Sequence, residues 1–136
     1  MEKQLVELLD GSNEDRRDPY LFTILARVKD AKNVSAIRDA ISAALEDAKT
    51  KPVSADRLES VKSHMKYQYA MRLDSPDRIA SSLSHFIELT GDPESVNRLY
   101  ALYDRVTPED LMTVAKKYFT DNNRTALLLM NQEVKQ

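Results

Sequence analysis

Residues 20–28 read YLFTILARV, and how this stretch is read decides the fold class. It is dense in β-branched and aromatic residues, with Phe22, Ile24, Ala26 and Val28 on one side of an extended chain and Leu21 and Leu25 on the other. A helical reading has no 3.6-residue stripe to support it, so the stretch is expected to be a strand. Working outward, residues 124–130, RTALLLM, form an apolar run too short for a helix and read as a second strand near the other end of the chain. Residues 4–9, QLVELL, fit a helix turn or a strand equally well, but the polar connector DGSNEDRRDP before the first strand favours a hairpin with a long tip, so a third strand is expected here.

Between these lie five helical segments. NVSAIRDAISAALEDAK (33–49) spaces Val34, Ile37, Ile41, Ala44, Leu45 and Ala48 by threes and fours, with Asn33 as the expected N-cap. After Pro52, Ser54 opens a second helix whose expected apolar stripe is Leu58, Val61, Met65 and Tyr69. Ser75 with Pro76 starts a third, and Gly91, suited to the left-handed conformation, ends it. Asp92-Pro93 and Thr107-Pro108 open the fourth and fifth, the latter with Asp110 three residues after Thr107 in a capping-box position. The expected fold is segregated α+β: two or three strands at the chain ends forming a small sheet, covered on one face by about five helices.

Composition narrows the chemistry. The chain has 136 residues, the size of one domain, and residues 1–136 are treated as a single unit. No cysteine is present, which removes disulfides, thiolate metal sites and cysteine nucleophiles and leaves the compartment open. Twenty basic against 22 acidic side chains give a net charge of -2 with both signs interspersed, so neither nucleic acid nor a membrane surface is an expected partner. The longest apolar run, Ala126 to Met130, is too short to span a bilayer, and MEKQLVELLD carries acids where a signal peptide needs cations. With two glycines, Gly11 and Gly91, no phosphate loop, dinucleotide fingerprint or nucleophile elbow exists.

Four groupings merit a chemical reading. His85 and Glu88 stand as His-x-x-Glu-Leu in SHFIEL (84–89), one residue from an inverted zinc-peptidase motif, but Leu89 occupies the place of the second histidine and cannot ligate. The remaining histidine, His64, lies on another helix, so no metal or catalytic residue is assigned. Lys62 and Lys66, with Tyr69 and Arg72 nearby, form a mixed cationic and aromatic face, yet Asp56 and Glu59 share the helix and a solvated surface explains it. The acidic pairs Glu46/Asp47 and Glu109/Asp110 sit at helix ends, where capping and solvation account for them. Tyr100 and Tyr103 read as core.

Both faces of the expected sheet are apolar. Leu21 and Leu25 oppose Phe22 and Ile24, and Leu127 and Leu129 oppose Ala126, Leu128 and Met130, while helices on one side can cover a single face. Each uncovered leucine forgoes about 1.5–3 kcal/mol of burial. More sheet is therefore expected, from further polypeptide or a second copy.

The stretches RRDPYLFTILARV, VSADRLESVKSHMKYQYAMRLDSPDRIASSL, ELTGDP and VTPEDLMTVAKKYF followed by NRTALLL, spanning residues 16–130, resemble the later half of a domain of the M16 metallopeptidases, the group of pitrilysin, insulinase and the mitochondrial processing peptidases. Asp18, Pro19, Phe22, Thr107, Asp110, Ala115 and Tyr118 match structural positions of that pattern. The resemblance implies a partial domain whose complete parent carries zinc and cleaves peptides, with this chain a non-catalytic part of the substrate chamber partnered by the other half. The zinc motif His-x-x-Glu-His and the partner domain's Leu-Arg...Tyr are both missing here, and Arg16 and Arg17 do not replace them. The chain alone is expected to hold no cofactor and to be inactive. The alternative is a stand-alone α+β interaction module that self-associates through its sheet.

Overall fold

The computed structural model describes residues 5–130. A two-stranded antiparallel sheet precedes five helices, an α+β fold. The strands are β1 (Val6–Asn13) and β2 (Phe22–Val28). The helices are α1 (Val34–Thr50), α2 (Ala55–Arg72), α3 (Pro76–Thr90), α4 (Ser95–Arg105) and α5 (Pro108–Tyr118). Short 3-10 turns at Ala31–Asn33 and Asp121–Asn123 flank the helical block.

The hairpin forms with a different partition from the one expected. β1 continues through Asp10, Gly11, Ser12 and Asn13, which pair with Leu25, Ile24, Thr23 and Phe22, so the connecting loop shrinks to residues 14–21. Those polar residues are carried into the ladder because β2 offers a strong template and one outer edge faces water. The register slips at Glu7, between Val6 opposite Val28 and Leu8 opposite Arg27. That bulge places Val6 and Leu8, two residues apart, on opposite faces, since they pair with the consecutive residues Val28 and Arg27.

Residues 124–130 do not form the expected third strand. Arg124 is extended, but among the described residues no backbone hydrogen bond joins this segment to the sheet. Among the described residues the sheet therefore lies wholly at one end of the chain. A strand exists only when a neighbour supplies its hydrogen bonds, and among the described residues none does so for this segment.

Local rules set the helix boundaries. The hydroxyls of Ser54 and Ser75 accept from the backbone N–H of Arg57 and Arg78, and Gly91 closes α3 at φ 76°, where a Cβ would be strained. Two expected caps differ. Asn33 has a helical backbone and makes no side-chain cap, because the 3-10 turn leads straight into α1. Asp92 lies before α4 and accepts from Glu94 N–H at 2.9 Å, bracing a turn from which the helix starts at Ser95.

At α5 both halves of the capping box are made. Asp110 N–H donates to the Thr107 hydroxyl at 3.2 Å, and Thr107 N–H donates to the Asp110 carboxylate at 2.9 Å. The Thr107 backbone N–H, and after it the Thr107 hydroxyl, hold the Asp110 carboxyl below its ordinary value. A depressed carboxyl stabilises the fold once pH exceeds its unfolded value and loses that contribution as pH falls through the folded one. Acid titration should thus fray α5 below the usual carboxylate range. Thr107→Ala is expected to cost about 1 kcal/mol in urea unfolding at neutral pH and to flatten this acid dependence; an unchanged midpoint would refute the role of the box.

Packing is sparse. The buried apolar side chains are Ile37, Leu58, Val96 and Ala115. The closest helix pair is α1 with α5, followed by α3 with α4 and α2 with α4. On β2 the side chains of Ile24, Ala26 and Val28 are half-buried, while Phe22 and Leu25 are exposed. The hairpin meets the helices at its loop end, where Phe22 lies 5.4 Å from Phe119 between ring centroids.

Candidate functional site

His85 and Glu88 sit on α3, one helical turn apart. The His85 ring stands edge-on to Phe86, half exposed, and its Nε2 lies 4.0 Å from Asp15 in the hairpin loop. His64 is exposed on α2. Among the described residues no three His, Cys, Asp or Glu side chains gather as metal ligands, so the structure does not assemble His85, Glu88 and His64 into one site.

The cationic face of α2 has a structural employment. Lys62 is 7 % exposed; its ammonium donates to the Glu59 carboxylate at 2.7 Å and to the Asp104 carbonyl at 3.2 Å, at the C-terminal end of α4. Lys66 pairs with the Asp104 carboxylate. A cation suits that position because the last carbonyls of a helix are unpaired and carry partial negative charge. Lys62 and Lys66 thereby clamp α2 to α4 rather than offering themselves together to an external anion.

This clamp turns α2 about its axis. The expected stripe of Leu58, Val61, Met65 and Tyr69 is not the face that packs; Leu58, Lys62, Lys66, Tyr69 and Leu73 turn inward, and Val61 and Met65 are exposed. Lysine's long apolar stem lets it line such a seam while its charge finds carbonyl and carboxylate partners.

Three tyrosines continue the seam. Tyr69 and Tyr100 stack with ring centroids 4.9 Å apart, Tyr100 and Tyr103 meet edge-on at 5.6 Å, and the Tyr69 hydroxyl pairs with the Ser82 hydroxyl at 2.9 Å, joining α2, α3 and α4. Burial raises the Tyr100 and Tyr103 phenols above their ordinary value, with nearby Asp15 adding to it. All are only partly buried, and they serve as packing. Of the acidic pairs, Glu46 and Asp47 bind Lys49 and Lys51, and Asp110 closes the capping box.

Two shallow grooves remain. One of about 310 Å³ lies where Tyr69, Leu73 and Leu83 meet Pro93 and Val96. The other, about 290 Å³ and almost wholly apolar, runs between the end of α1 and α5 past Ala48, Val53, Leu111 and Phe119. Neither contains a convergent set of polar groups of the kind a small-molecule site needs.

What stands out instead is surface. The chain presents 11721 Å² to solvent, whereas a compact monomer of 15.5 kDa is expected to present about 7,200 Å². The difference exceeds several times the roughly 800 Å² that each partner contributes to an ordinary protein interface. Large apolar side chains are exposed on the hairpin and its loop (Leu8, Leu9, Leu21, Phe22, Leu25), on α2 (Val61, Met65, Tyr67, Met71), on α3 (Ile79, Ile87), on α4 (Leu102), on α5 (Leu111, Val114, Tyr118) and at Leu127 through Met130. The candidate functional site is this apolar surface, to which the hairpin, the helices and residues 127–130 all contribute. Sequence alternation signalled its strand components; the contributions of α2 and α5 had no signal, since they depend on which helix face packs.

No helix among the described residues is long and apolar enough to cross a membrane. Compared with models of protein families, with curated proteins and with solved structures, the chain finds no match.

Proposed function

We propose that this chain is a non-catalytic portion of an M16-like zinc metallopeptidase, forming part of the wall of a peptide chamber and acting by docking its sheet and exposed helix faces on the rest of the domain. The observation that carries the reading is the surface excess: 11721 Å² exposed, with large apolar side chains exposed on the hairpin, on the helices and at residues 127–130, is what a domain looks like when much of its core is missing. Zinc and its ligands belong, on this reading, to the other half, which supplies the metal-bound water for peptide hydrolysis.

The test is genomic and then biochemical. A coding sequence upstream or adjacent should encode His-x-x-Glu-His or Leu-Arg...Tyr, and the polypeptide bearing it should bind this chain and, with it, cleave an unstructured peptide in a chelator-sensitive manner. A motif-bearing polypeptide that neither binds this chain nor gains activity from it would overturn the proposal. A second reading, a module that self-associates through its sheet, is favoured by one specific feature, the segment 124–130, exposed throughout and without a strand partner among the described residues.

A further inference from the structure

Two unsatisfied features of the chain have complementary chemistry. The first is the outer edge of β2. Among the described residues the sheet has two strands, so one side of β2 carries no partner. β2 has apolar side chains on both faces, Phe22, Ile24, Ala26 and Val28 against Leu25, the composition of an interior strand. β1 is built as a border: it carries a bulge at Glu7 and ends in Asp10, Gly11, Ser12 and Asn13. The missing neighbour therefore belongs on β2.

The second feature is the segment 124–130. It contains Leu127 at 84 % and Leu129 at 85 % exposure, with Leu128 and Met130 also exposed. Among the described residues it makes no backbone hydrogen bond to its own sheet. The exit from α5 is held by Asn123 Nδ2 donating to the Tyr118 carbonyl at 3.0 Å and by Arg124 paired with Asp121 at 3.0 Å.

We propose that residues 124–130 of one copy add as a strand to the free edge of β2 in a second copy, reciprocally, in a two-fold dimer. Backbone hydrogen bonds would be satisfied on both edges, and alternate side chains would extend both faces of the hairpin, Leu127 and Leu129 beside Leu25, and Ala126, Leu128 and Met130 beside Ile24 and Ala26. Two such additions are made by one symmetry operation, which closes the assembly rather than propagating it. The inference rests on the reading of the sheet as incomplete and not on any peptidase activity.

The full chain contains no cysteine, which permits a clean test. In the register that pairs Leu127 with Leu25 the two residues face one another whether the added strand runs parallel or antiparallel, at a spacing a disulfide accepts. A chain with Leu25→Cys mixed with a chain with Leu127→Cys should yield the mixed disulfide under mild oxidation, in preference to either like pair. The unsubstituted protein should show a light-scattering mass about twice 15.5 kDa, halved by Leu128→Pro, which disfavours strand pairing at a position outside the helices. Circular dichroism should report unchanged helix in that variant. A monomer at high concentration without the mixed disulfide would overturn the proposal, as would a doubly substituted chain that closes its bridge within one molecule. In either case binding to a polypeptide carrying His-x-x-Glu-His would leave the proposed function standing.

Discussion

Leu58→Ala is expected to lower the stability of the chain by about 2–3 kcal/mol, while Val61→Ala and Met65→Ala on the same helix should each change it by less than about 0.5 kcal/mol. All three are apolar positions that hydropathy alone places on one stripe. Only Leu58 is buried, at the seam between α2 and its neighbours, and with so few buried apolar side chains the loss of one is a large fraction of the marginal stability a single domain has. Urea unfolding at a single low protein concentration measures the comparison without interference from association. Equal costs at Leu58, Val61 and Met65 would mean that the helix packs on the face that hydropathy chose.

Lys62→Ala should cost about 2 kcal/mol and Lys62→Met much less. Alanine removes both the buried stem and the donor to the Asp104 carbonyl, leaving a gap beside Leu58; methionine keeps the volume and discards the charge. Desolvating a cation offsets much of what its partners return, so apolar replacement of a buried pair is often near neutral. If Met proves as damaging as Ala, the ammonium rather than the stem holds α2 to α4. Because Lys62 and Leu58 are one turn apart on the same face, their effects should not add, and a double-variant cycle is expected to show coupling.

These two outcomes also bear on the interface. Val61 and Met65 stay exposed in the isolated chain, together with the hairpin leucines and the apolar side of α5. Substitutions there should leave stability untouched yet weaken whatever docking completes the fold, whether to the other half of a peptidase domain or to a second copy. The lysine clamp thus has a consequence beyond holding two helices: by occupying the inner face of α2 it sends an apolar edge outward.

What could be read from the residues alone was whatever depends on neighbours within a few positions. Ser54, Ser75 with Pro76, Gly91, and Thr107 with Asp110 bracket helices because a hydroxyl or a left-handed glycine satisfies backbone groups three to five residues away. The same locality made β2 legible, and it made the absence of glycine-rich and cysteine-based chemistry plain. Asn33 and Asp92 show the limit even of this, since a 3-10 turn or a preceding turn shifts a helix start by a few residues without altering the composition.

The three-dimensional arrangement decided everything that requires a partner far along the chain. Whether RTALLLM is a strand depends on an edge to pair with, which no other described residue gives it, and whether DGSN is loop or strand depends on the pairing that β2 offers. Which side of α2 faces inward was settled by Asp104, 42 residues beyond Lys62, through a carbonyl that no hydropathy pattern encodes. Burial is a property of what stands opposite a side chain, and what stands opposite is set by the summed geometry of the fold rather than by the side chain's own apolarity.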